Sequence, residues 1–277
     1  MATEDEFDAI RNDPDPIRQG LRASELIAVY QQRSTELARL RKVAIERAYR
    51  EYGLSYTEIS EKLGLTKGRI SQIRSSAPPA ERAFFGVGPV SIGIPRRIGM
   101  EEGRERPYVD DNDRRTGEAL QGKLAELSFT TSSFDIDPDT EEVPAGDCIV
   151  VCGPKSAPIA RHLLTDDPLL GFERLEAGWA IIDSTHERRY LSPYRTDGTR
   201  KDFGYLSRRI VDRRVIIHIA GITAVGSEGV AHWLTTHLED VYDPAAQLTD
   251  CVIGCEFDDK FTVTGSEIVA GPYSVPL

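Results

Sequence analysis

YTEISEKLGLTKGRISQIRS, residues 56–75, places Ile59, Leu63, Leu65, Ile70 and Ile73 at the spacing with which two short crossed helices share apolar contacts. Ser60 is small enough to let those helices approach. Gly64 falls at the turn, where a residue without a Cβ takes a positive φ that others resist. Thr66 has the chemistry of an N-cap, its hydroxyl accepting from the amides that open the next helix. The outward side of that second helix carries Lys67, Arg69, Ser71, Gln72 and Arg74, groups that pair with phosphates and read base edges. The pattern is that of a helix-turn-helix whose second helix lies in a major groove, and Thr66, Lys67, Arg69, Ser71, Gln72 and Arg74 are its expected DNA contacts. A plain helical hairpin shares the apolar spacing; the glycine turn, the cap and the polar face favour DNA.

Charge supports this once taken by segment. The whole chain is −11, but residues 17–76 hold twelve Lys and Arg against six Asp and Glu, a surplus of six. Residues 1–16 hold six acids and one base, so the remainder from Ala77 onward carries −12. A basic module tied to an acidic body fits a DNA reader whose larger part faces away from phosphates. Arg33, Arg39, Arg41, Lys42, Arg47 and Arg50 precede the motif and also read as a solvated face. SYTEISEKLGL and GRISQI resemble the DNA-binding fourth region of bacterial sigma factors. The likeness covers about the first quarter of the chain, and no segment resembles the promoter-melting region, so it implies the DNA-binding module alone.

At 277 residues the chain has room for a small DNA-binding module and one larger domain. No apolar run approaches the roughly 20 residues that span a bilayer, and the opening MATEDEFDAIRNDPDP is acidic where a signal peptide is basic and then apolar. A cytoplasmic location without membrane association is expected. Cys148 and Cys152 lie in DCIVVC, and Cys251 and Cys255 in DCVIGC, both strand-like runs. Residues four apart on a strand are separated by about 13 Å and cannot share one ion, so packed thiols are expected and no metal site is assigned.

Residues 1–20 are expected to be a mobile acidic segment, 21–76 a helical DNA-binding domain, 77–84 a linker containing SSAPPAE's prolines, and 85–277 a larger domain. Residues 21–52 lack Pro and Gly and predict one long helix or two consecutive ones. Beyond the linker, strands from Val87, Asp147, Trp179 and Arg213 alternate with helices over 113–127, 157–164 and 227–241, followed by extended segments around CVIGCEF and FTVTG. Residues 130–146 read as a loop. This alternation predicts an α/β fold, Rossmann-like, with a mostly parallel sheet covered on both faces.

In such sheets ligands gather beyond the carboxyl ends of strands. CGPKSAPIA offers Gly153 for a sharp exit, Lys155 for charge and Ser156 as a cap. AGITAVGSEG surrounds Thr223 and Ser227 with Gly221, Gly226 and Gly229, the makings of a phosphate-sized nest, with Glu228 beside it. The glycines have P-loop spacing, but Ser227 stands where that motif needs Lys, which argues against Mg-ATP hydrolysis of that type. Between the two turns, Arg195, Arg200 and Arg208 are candidate clamps, Tyr194, Phe203 and Tyr205 candidate stacking rings, and Asp202 a ribose acceptor. A solvated loop or subunit contact is the competing reading of that segment. The expected ligand residues are therefore Gly153, Lys155, Ser156, Asp202, Arg208, Gly221, Thr223, Gly226, Ser227 and Glu228. No cofactor, catalytic pair or histidine pair with metal spacing is evident.

FFGVGPVSIGIP, VVCGPKS, DFGYLSRR and IAGITAVGSEG further resemble a Rossmann-like extension of actinobacterial sigma-factor-like regulators, over most of residues 84–232. The resemblance implies the two-domain plan and no particular ligand. Together these readings predict a transcription regulator that binds double-stranded DNA as a homodimer, and whose second domain senses a nucleotide-like or phosphorylated small molecule. The alternatives are a nucleotide- or nucleoside-processing enzyme, with Glu228 and then Asp202 as suspect carboxylates, and a constitutive DNA-binding partner of the transcription machinery.

Overall fold

The computed structural model describes residues 4–165 and 167–276; residues 1–3 of the acidic opening segment, Asp166 and Leu277 lie outside them. Four helices come first: α1 (Glu4–Arg11), α2 (Pro16–Glu51), α3 (Tyr56–Leu63) and α4 (Lys67–Ser76). α2 is a single helix of 36 residues, about 54 Å at the α-helical rise. The opening segment, expected to lack structure, carries α1 and the start of α2. The Asp15 side chain caps α2 by accepting from Ile17 N at 2.9 Å, and Asp13 bridges Arg18 and Arg22.

The α/β body begins with a 3₁₀ turn, Ala80–Phe85, then β1 (Val90–Pro95), the hairpin β2 (Arg97–Glu101) and β3 (Arg104–Tyr108), α5 (Asp111–Glu126) and β4 (Thr131–Ile136). β5 (Asp147–Val151) and α6 (Pro158–Thr165) lead to a small antiparallel sheet of β6 (Leu170–Leu175), β7 (Gly178–Asp183) and β8 (Arg188–Leu191). After the short α7 (Pro193–Thr196) come β9 (Lys201–Val211), β10 (Arg214–Gly221), α8 (Ala224–Thr236), β11 (Ala246–Phe257) and β12 (Val263–Pro276). The main sheet has seven strands in the order β12-β11-β9-β10-β5-β1-β4. β4, β1, β5 and β10 run parallel, and β9, β11 and β12 extend the sheet antiparallel.

Strand alternation builds two cores. Ile149, Val151, Ile217 and Ile219 point to one face and bury against α5, α8 and the 3₁₀ turn. Cys148, Val150, Cys152 and Ile216 point to the other, under α6. All four cysteines are free and buried, as packed thiols should be. Burial pushes the Cys148 thiol up to about 11 and Cys152 to about 12.

Two expectations are corrected. Part of residues 130–146, read as a loop, forms the edge strand β4. The Arg-rich stretch, read as ligand clamps and stacking rings or else as a solvated loop or subunit contact, contains β9, a central strand in which Asp202, Tyr205, Leu206, Ser207 and Arg208 are all buried. Among the described residues, no helix is long and apolar enough to cross a membrane.

The linker segment is itself packed. Arg82 is fully buried and donates from Nε to Leu127 O at 3.1 Å, and from Nη2 to Gln32 Oε1 at 2.7 Å and Val87 O at 3.1 Å. Its guanidinium lies 3.8 Å from the Phe129 ring centroid and also reaches Glu36. Arg39, expected on a solvated face, is buried too; it pairs with Glu36 at 2.7 Å and donates to Ala80 O. α2 is thereby fastened to the body by a polar joint.

Candidate functional site

The α3–α4 pair is built from local signals. Ser55 Oγ accepts from Glu58 N while the Glu58 carboxylate accepts from Ser55 N at 2.8 Å, a reciprocal cap on α3. Gly64 ends α3 at φ 64°, in the left-handed region that favours glycine, and Leu65 N closes onto Ser60 O at 2.8 Å. Thr66 Oγ1 then accepts from Arg69 N at 3.1 Å and starts α4. Ile45 of α2 packs with Ile59, Ile70 and Ile73, and Ser60 is buried at the crossing. Leu65 is partly buried, whereas Leu63, expected in the contact, is 51% exposed. It ends α3 beside the aliphatic stems of Arg41 and Lys62, along an open apolar cleft that α4 does not reach.

Thr66, Lys67, Arg69, Ser71, Gln72 and Arg74 are all exposed, and α4 contains no acidic residue. Arg69 Nη1 donates to Gln72 Oε1 at 2.6 Å, which holds two of the expected base-reading groups together. Arg74 lies 4.1 Å from the Tyr56 ring centroid, and Tyr56 stacks on Tyr49 at 4.6 Å. These contacts fix a cationic, hydrogen-bonding surface on one side of the helix.

In the body, the two turns singled out in the sequence come together at the carboxyl ends of the adjacent parallel strands β5 and β10. Lys155 Nζ donates to Ile222 O at 2.9 Å, and a Cβ on Gly153 would stand 3.7 Å from Gly221 O. Ser156 N closes the first turn onto Gly153 O. The glycine-rich turn, however, is filled by the chain itself. Gly221 N donates to Ser227 Oγ at 2.8 Å, and Thr223 donates to Asp202 Oδ2 from N at 3.0 Å and from Oγ1 at 2.5 Å. A Cβ on Gly221 would meet Thr223 O at 2.0 Å, and one on Gly226 would meet Phe203 O at 2.3 Å. These glycines let the buried α8 lie directly on β9 and β10. Burial raises the Asp202 carboxyl against the hydrogen bonds from Thr223.

Glu228 accepts from Asn112 Nδ2 at 2.6 Å and pairs with Arg115 at 3.0 Å, tying α8 to α5. Arg208 is six residues from Asp202 along β9, about 20 Å at the strand rise. It donates to the carbonyls of Phe84 at 3.1 Å and Ala246 at 2.9 Å, away from the other ligand candidates.

Of the neighbours that enclose Lys155, sequence reading named Arg195 as a candidate clamp and missed Arg174, Trp179 and Ser192. Arg174 and Trp179 from β6 and β7, Ser192, and Arg195 from α7 join Lys155 and Ile222 around a cavity of about 390 Å³. The only local signal was the hairpin ERLEAGWA, which pairs strands without showing where they dock. Behind the cavity, Arg97 pairs with Asp113 at 2.6 Å, and burial lifts the Asp113 carboxyl to about 6. Burial, followed by the nearby Arg97 and Arg195, lowers the pKa of Lys155, an exposed residue whose Nζ is tied to Ile222 O. A separate cavity of about 420 Å³ beyond β9 and β11 is lined by Asp202, Glu256 and Glu267 with Lys201, and suits no anion. No protein-family model, curated protein or solved structure matches the chain.

Proposed function

We propose that the protein is a sequence-specific DNA-binding transcription regulator in which α3 and α4 form a helix-turn-helix and the Rossmann-like α/β body binds a small anionic ligand. The observation that carries the DNA reading is the exposed face of α4, which combines Lys67, Arg69, Ser71, Gln72 and Arg74 with no carboxylate on a firmly capped helix. The likeness of this segment to sigma-factor region four points the same way. Support for the ligand comes from Lys155 and its cationic neighbours at the carboxyl end of the parallel strands, where open α/β sheets hold ligands. The enzyme alternative draws little from the site, since Glu228 and Asp202 are both committed to structural hydrogen bonds.

A homodimer would set two α4 helices about 34 Å apart on successive major grooves. Ile17 and Leu21 near the start of α2, and Leu37 and Leu40 further along on a different face, are exposed, and each pair offers apolar surface for pairing. Selection of bound sequences from a random duplex library, followed by anisotropy titration, tests the reading. Arg69→Ala should cost about 1–3 kcal/mol of binding and relax preference at one base position. Equal, weak binding to every duplex at low salt would reject sequence-specific regulation, and a monomer bound to DNA as a monomer would reject the dimer.

A further inference from the structure

The cavity at Lys155 is electrostatically out of keeping with the chain around it. The protein carries 45 Asp and Glu against 34 Lys and Arg, yet the cavity lining holds Lys155, Arg174 and Arg195 and, among the described residues, no carboxylate. Among the described residues none of these three has an ion-pair partner within 4.0 Å. Positive charges gathered around one opening raise the local concentration of anions, and a bound anion offsets their mutual repulsion. The lining also contains the indole of Trp179, with the Arg174 guanidinium 5.8 Å from its ring centroid, a flat surface placed next to positive charge. Ser192 Oγ, 1% exposed, lines the same wall and stands beside the Asp202 carboxyl, so it shapes the cavity without being free for a ligand. The volume, about 390 Å³, lies within the range of small-molecule sites and is far too small for a dinucleotide with both halves enclosed.

We propose that this cavity binds a phosphate monoester bearing one planar ring, of the nucleoside-monophosphate class, with the phosphate held by Lys155, Arg174 and Arg195 and the ring against Trp179. The proposal deepens the small-anion reading of the body and is independent of the DNA reading. The glycine-rich turn at Gly221 supplies no part of the site, because its amides and its space are taken by Ser227, Thr223 and Phe203.

The test is a fluorescence and thermal-shift titration of the full chain with the four common ribonucleoside monophosphates, the matching nucleosides, ribose 5-phosphate and inorganic phosphate. Trp179 and Trp233 are the two tryptophans, and Trp233 is buried in α8, so quenching by a stacked ring reports on Trp179. The expected result is saturable quenching by at least one monophosphate below millimolar concentration, absent with its nucleoside. Trp179→Phe should abolish the quenching, and Arg174→Gln and Arg195→Gln should each weaken binding about tenfold or more. Both arginines are exposed and have no ion-pair partner among the described residues, so these variants should melt like the wild type. If no monophosphate binds at millimolar concentration, if nucleosides bind as tightly, or if the double arginine variant binds unchanged, the proposal is overturned. If ribose 5-phosphate or inorganic phosphate binds as tightly as any nucleotide, the ring assignment falls while the small-anion reading stands. DNA anisotropy on the same preparation separates either failure from failure of the DNA reading.

Discussion

Replacing Arg82 with Met keeps side-chain bulk while removing the charge and all five donors at the joint between α2 and the body. The variant strands the buried acceptors Leu127 O and Gln32 Oε1, at 3.1 and 2.7 Å from Arg82, and the part-buried Val87 O at 3.1 Å. Each orphaned buried acceptor costs about 1–3 kcal/mol, and breaking a buried ion pair about 3–5 kcal/mol. Glu36 keeps Arg39 at 2.7 Å, which moderates the second contribution. The expected loss is therefore about 3–5 kcal/mol, a large share of a typical domain's stability of about 5–15 kcal/mol. Arg82→Lys should recover little, because a single ammonium cannot reproduce the planar fork. The assay is urea unfolding followed by far-ultraviolet circular dichroism and by tryptophan fluorescence. Both tryptophans lie in the body, so fluorescence does not sense α1–α4, whereas dichroism does. The wild type should give coincident transitions and Arg82→Met separated ones, with the helical part melting first. A loss under about 1 kcal/mol with coincident transitions would refute the idea that this joint couples the two parts.

Gly221→Ala should cost about 3 kcal/mol in thermal or urea unfolding, because its Cβ would meet backbone atoms of Thr223 and Ser227 at 2.0 and 2.4 Å that cannot yield independently. Gly122, exposed within α5 with open space where a Cβ would go, should behave oppositely, Gly122→Ala adding about 0.5–1 kcal/mol in the same measurement. Burial lowers His218 to about 4, so its contribution is fully present above the unfolded value of 6.5 and is lost as the pH falls through 4, about 3 kcal/mol in all. Asp113, lifted by burial to about 6, and Asp250, raised by burial and then by the neighbouring Asp167 carboxylate, act in the opposite sense, losing stability as pH rises above the ordinary carboxylate range. The difference between wild type and His218→Gln across pH 7 to 4 therefore isolates the histidine, and parallel pH profiles would contradict its neutral burial.

Much of the molecule is legible in the sequence because its signals act within one helical turn or one strand. Ser55, Gly64 and Thr66 specify the ends of α3 and α4 through contacts three or four residues away. The unbroken apolar runs at β5 and β10 declare themselves as strands buried on both faces. The positions of Lys155 and Ser227 beside strand ends followed from the same local pattern. What the sequence could not show is which polar residues find distant partners. Asp202 and Arg208, read in the sequence as ligand groups, lie with Arg209 in the buried strand β9, where Thr223, the carbonyls of Phe84 and Ala246, and Asp167 are their partners inside the fold. Arg39 likewise reads as a surface charge, yet it is buried beside Glu36, and Arg82 is enclosed by Glu36, Gln32 and Leu127. The glycines of AGITAVGSEG allow either an open phosphate nest or a tight helix-on-strand contact, and only the approach of β9 decides for the contact. The cavity at Lys155 draws Arg174 and Arg195 from segments 19 and 40 residues further along the chain. Local periodicity determines elements because it acts on neighbours in sequence; charge burial and cavities depend on which elements meet, and that is settled only when the sheet is assembled.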